Sequence, residues 1–69
     1  MKDKIHIDFE KMANKYKDRD EMEDFLKNLS ENHEIYIFTA KDREVVYKWL
    51  IRHHLDEYIE DVTNTKVGI

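Results

Sequence analysis

The sequence contains no cysteine, which excludes disulfide staples, thiolate zinc sites and thiol catalysis. It contains no proline and a single glycine, Gly68. With so little of either, no flexible linker or low-complexity tract is present, and no glycine-rich loop can cradle a phosphate. Apolar runs stop at about four residues, far short of the ~20 needed to span a bilayer, so no membrane partner is expected. Basic residues are not in excess. Lys and Arg number 12 against 16 Asp and Glu, a net charge of −4, which argues against nucleic acid as a partner. No apolar segment follows Met1-Lys2-Asp3-Lys4, so a cytoplasmic location is expected.

What is present fits one small domain over residues 1–69. A chain of this size buries only about 60% of its unfolded surface on folding. Its core supplies roughly 3–5 kcal/mol unless a staple adds to it. With disulfides excluded, another protein chain is the staple to look for. Hydrophobic and charged residues each make up 41%, too apolar for a disordered chain and heavily charged for a folded one.

The order of the residues is more informative. Ile5, Ile7 and Phe9 alternate with His6 and Asp8, the period of a strand over residues 4–9. Residues 10–20 are polar and read as a loop or a short irregular helix. Asp20, with Glu23 three residues on, has the spacing of a helix cap. Met22, Phe25, Leu26 and Leu29 then form one helical stripe over about residues 21–32. Ile35 to Ala40 carries no charge and is β-branched and aromatic, which suits a strand buried on both faces. Asp42 is placed to cap a second helix, whose stripe is Val45, Val46, Trp49, Leu50 and His53. Tyr58, Ile59 and Val62 fit a shorter extended segment ending near Thr63. The pattern β-α-β-α-β predicts an α/β fold: a minimal three-stranded parallel sheet with two helices.

In open parallel sheets, ligands collect at the carboxyl ends of the strands. Three polar groups fall there: Asp8-Phe9-Glu10, Thr39-Ala40 and Thr63-Asn64-Thr65-Lys66. A carboxylate pair, a hydroxyl and a lysine at one edge suit phosphate or a metal-bound phosphate. The histidines suit a metal less well, because His53 and His54 are adjacent and point to different sides of a helix.

The run Ile-His-Ile-Asp-Phe-Glu, then Ile-Tyr-Ile-Phe-Thr-Ala, a helix, and Asp-Val-Thr-Asn-Thr-Lys resembles the haloacid dehalogenase-like superfamily over residues 4–67. It looks most like the short, capless phosphatase-like members of bacteria and phages. The resemblance implies a truncated Rossmann-like fold and a set of roles. Asp8 matches the nucleophile that becomes phosphorylated, and Glu10 the general acid/base, where the family carries aspartate. Thr39 matches the hydroxyl that holds a phosphoryl oxygen, and Lys66 the lysine that steadies nucleophile and phosphate. Asp8 and Glu10 would be the metal ligands if Mg2+ is used.

The departures shape the expected function. Glu10 is one methylene too long. Lys11 and Met12 stand where the family continues with glycine and threonine. The fourth, acidic motif, which completes the magnesium site, does not follow Lys66 in this chain. The expectation is therefore a degenerate, non-catalytic domain with no cofactor, acting as a small interaction or regulatory protein, phage-encoded and host-directed. The alternative is a magnesium-dependent phosphatase or nucleotidase, completed by an acid such as Glu60 or Asp61 from a second subunit. In the family the first strand lies between the second and the fourth-motif strand, so its edge would be open here. Ile5 and Ile7 on that edge, with Met12 and Tyr16 from a contact loop, are the expected interaction residues. The partner would be a second copy in a homodimer, or a host protein taken up by strand addition.

Overall fold

The computed structural model describes residues 2–64. Its elements run β1 (Asp3–Asp8), α1 (Phe9–Lys15), α2 (Arg19–Ser30), β2 (His33–Phe38), α3 (Arg43–Arg52), a 3-10 turn (Asp56–Tyr58) and β3 (Ile59–Thr63). The strands pair in parallel in the order β1-β2-β3. The expected α/β fold with a three-stranded parallel sheet is therefore what forms. No helix among the described residues is long and apolar enough to cross a membrane.

Register explains where the core lies. Ile5, Ile35 and Ile59 lie side by side, as do Ile7, Ile37 and Val62. Successive side chains on a strand point to opposite faces, so these rows share one face. Onto it pack Phe9 and Met12 from α1, Met22 and Leu26 from α2, Val46 and Leu50 from α3, and Leu55, forming a single cluster. The other face is less covered. There His6 stacks on Tyr36 with ring centroids 5.3 Å apart, and the Lys4 ammonium lies 5.7 Å above the same ring. Burial along β2 consequently alternates: Ile35 and Ile37 are buried, Tyr36 and Phe38 half-buried. The expectation of a strand buried on both faces is corrected, because one cluster gathers the apolar residues of all three helices.

Among the described residues there are three α-helices rather than the expected two. The first part of the 10–20 stretch is α1, which starts directly from the end of β1. Asp8 is its N-cap, with its side chain accepting the Lys11 N–H at 3.3 Å. An aspartate at a strand end can satisfy the orphan donors of a following helix, so no loop is needed. Phe9 accordingly belongs to α1 and not to the strand, and it is buried. The next helix begins slightly earlier than the sequence suggests. Its cap is Asp18, which accepts the Asp20 N–H at 2.9 Å, in place of Asp20. Asp42 caps α3 as expected, accepting the Glu44 N–H at 2.9 Å.

Candidate functional site

The register Asp8↔Phe38↔Thr63 places the ends of all three strands at one edge of the sheet. Asp8 closes β1, Glu10 lies in the first turn of α1, and Thr39 follows β2 immediately. Three of the four expected site residues therefore come from the same edge. Lys66, the fourth, lies outside the described residues.

Thr39 is the centre of the arrangement. It is fully buried at 0% exposure. Its hydroxyl donates to Glu10 Oε1 at 3.0 Å and accepts the Lys41 N–H at 3.0 Å. Its own N–H donates to the Thr63 carbonyl at 3.0 Å, continuing the pairing of β2 with β3. Buried polar groups need such partners, because leaving one unmade costs on the order of 1–3 kcal/mol. Through this bond Glu10, a side chain of α1, reaches across to the end of β2. Asp8 Oδ1 is engaged in the α1 cap.

One residue beyond the expected roles organises this edge. Asn64 Nδ2 donates to the carbonyls of Thr39, at 2.9 Å, and Lys41, at 2.7 Å. It thereby ties the loop after β2 to the end of β3. Its signal in the sequence is a short amide directly after a strand, which by itself reads as an ordinary turn residue.

A magnesium ion would need a near-octahedral oxygen shell. Among the described residues no three His, Cys, Asp or Glu side chains are grouped as a metal ion would require. Asp8 and Glu10 each already accept a hydrogen bond, and the two by themselves do not make up such a shell.

The expected contact residues divide. Ile5 and Ile7 are half-buried on β1, which pairs only with β2 among the described strands. Tyr16 is half-buried and stacks on Phe25, with ring centroids 4.8 Å apart. Met12 does not lie in a contact loop. It lies inside α1 at 3% exposure, in the core cluster, because the helix turns its thioether toward the sheet. An open concavity of about 300 Å³ runs along β1, lined among others by Ile7, Asp8, Lys11, Met12, Tyr16 and Phe25.

Comparison with curated proteins and with solved structures gives no match. Comparison with protein families does. The match is to a dehalogenase-like family, in keeping with the resemblance read from the sequence, and not to the compact bacterial and phage type expected there. Over residues 1–65 the chain fits the family model of the NLI interacting factor-like phosphatases, and it belongs to that family.

Proposed function

We propose that this domain is a protein-interaction module on a phosphatase-family scaffold, without turnover of its own. The observation that carries this reading is the state of the Thr39 hydroxyl. Its proton goes to Glu10 and its lone pair to the Lys41 N–H. The Glu10 carboxylate thus holds negative charge where the family role of Thr39 would bring a phosphoryl oxygen. A phosphate approaching that hydroxyl must displace a like-charged neighbour. Lys11 and Met12, in place of the small residues of the resemblance, are built into α1, and Met12 belongs to the core. The open edge of β1, flanked by Ile5 and Ile7, is the surface for contact.

A catalytic reading has one specific observation in its favour: Asp8 and Thr39 end adjacent strands, as nucleophile and phosphate-holding hydroxyl would. Hydrolysis of p-nitrophenyl phosphate over a magnesium series separates the two. A rate at the buffer background at every magnesium concentration is expected. Saturable, magnesium-dependent turnover that Asp8→Asn abolishes would overturn the interaction reading and establish phosphoryl transfer to Asp8.

A further inference from the structure

The edge strand β1 reads Asp3-Lys4-Ile5-His6-Ile7-Asp8. Among the described residues its outer edge has no strand beside it. Such an edge presents a row of backbone donors and acceptors that can template another strand. Two identical edges can pair only antiparallel about a two-fold axis, and residues directly opposite each other then share a face.

Three registers are available near the middle of the strand. Centring the axis on Ile5 sets Lys4 against His6 and Asp3 against Ile7. Centring it on Ile7 sets Ile5 against Phe9, which is already helical, and so leaves His6 against Asp8 as the one pair of β1 residues beside the axis, whereas centring it on His6 brings only Asp3, at the strand's end, against Phe9. Centring it on His6 sets Ile5 against Ile7 twice and Lys4 against Asp8 twice. Of the three, this last register matches apolar with apolar and cation with anion at the paired positions 4, 5, 7 and 8. Opposite charges and β-branched pairs directly across a ladder are favourable, and like charges are not.

The surroundings agree with that register. Ile5 and Ile7 are on the helix side of the sheet, where the concavity lined by Ile7, Met12, Tyr16 and Phe25 flanks the edge. A second copy brings its own Ile5 and Ile7 to that side. Lys4 and His6 are on the other face with Tyr36. Lys4 is exposed and stands in register with Glu34 of β2. Asp8 uses one oxygen for the α1 cap.

We propose that two copies of this chain join by antiparallel pairing of their β1 edges in the register centred on His6. The result is a six-stranded sheet in which Lys4 of each copy meets Asp8 of the other. The second copy thereby supplies a cation to the candidate site, at the carboxylate that the family uses as nucleophile. This deepens the interaction reading above and rests on it, naming the partner as a second copy.

Sedimentation equilibrium of the chain over a concentration series tests this. A reversible dimer is expected. Lys4→Asp, which leaves the α1 cap untouched, sets two carboxylates opposite each other twice and weakens the dimer by about tenfold or more. His6→Arg places two cations on the axis and weakens it likewise. Mixing Lys4→Asp chains with Asp8→Lys chains restores dimerisation in the mixture alone, since each variant by itself sets like charges opposite each other at both sites, whereas the mixed pair sets unlike charges opposite each other at both. Circular dichroism of each variant verifies its fold. If Asp8→Lys does not fold, the two variants at Lys4 and His6 decide the matter. A monomer at every concentration, or a dimer indifferent to both Lys4→Asp and His6→Arg, would overturn the proposal. A dimer that also hydrolyses phosphate with magnesium would overturn the non-catalytic reading and leave the pairing intact.

Discussion

Arg19 is the residue with the most to hold. Its guanidinium bonds to Glu23 at 2.8 and 3.3 Å and to the carbonyls of His53, at 2.7 Å, and His54, at 3.5 Å. Glu23 in turn accepts the Tyr58 hydroxyl at 3.0 Å. One cation thus links the start of α2 to the end of α3, and its carboxylate partner reaches the turn before β3. The hydrogen bond from Arg19, followed by that from Tyr58, holds the Glu23 carboxyl below its ordinary value of 4.5. The unfolded chain therefore takes up the proton first, so this contribution is complete above pH 4.5 and is lost as acid protonates Glu23 in the fold. Tyr58 is pushed up to about 12, by desolvation first and then by its hydrogen bonds to Glu23 and Glu57. Between its ordinary value of 10.0 and about 12, the unfolded chain ionises while the fold keeps the phenol neutral, so stability falls there with rising pH. We expect Arg19→Ala to lower Tm by several degrees at pH 7 and to flatten the acid limb of a Tm-against-pH profile. Tyr58→Phe should flatten the alkaline limb most. Nothing in the sequence announces this cluster. Arg19 and Glu23 have helical spacing, but the links from Arg19 to His53 and from Glu23 to Tyr58 span 34 and 35 residues.

At the scale of elements, α3 shows how a chain almost without glycine ends a helix. The Leu55 N–H bonds to the Leu50 carbonyl at 2.8 Å, and the His54 N–H to that of Ile51 at 3.0 Å. This is the paired closure that puts the intervening residue in the left-handed region. His54 occupies it with φ 57°. A β-carbon there costs roughly 1–2 kcal/mol, which glycine avoids at some cost in unfolded-chain entropy. His54→Gly should therefore stabilise the fold by up to about 1 kcal/mol, measured by urea denaturation at unchanged m-value. The helix α1 is the element least legible in the sequence. Seven residues long, it is too short to be stable alone. It exists because Asp8 caps it and because Phe9 and Met12 reach the core. Strands β1 and β2 are legible because alternation and β-branched runs are local signals.

For the whole molecule, size is the governing fact. Leu50 is fully buried in the one core cluster. Truncating a buried leucine to alanine costs about 2–5 kcal/mol. A core of this size supplies roughly 3–5 kcal/mol. Leu50→Ala should therefore leave the chain largely unfolded at 25 °C, seen as loss of helical circular dichroism. If β1 edges pair, folding is linked to association, and the wild-type Tm should rise with protein concentration.

The sequence alone determined the parallel α/β class, the strands, the α2 stripe and the α3 stripe except for Val45, which is exposed, and it placed Asp8, Glu10 and Thr39 at or just beyond strand ends. The strands and stripes rest on local periodicity, the fold class on the order of the elements, and the candidate residues on their positions at strand ends and on the family resemblance. The tertiary structure decided what those residues touch. It turned Met12 into the core, left one sheet face half-covered and gave Asn64 the task of fastening the β2 loop. It also brought Glu10 onto the Thr39 hydroxyl across 29 residues. Such contacts depend on how elements pack around a shared core, and local sequence carries no record of which distant side chain will satisfy a buried donor.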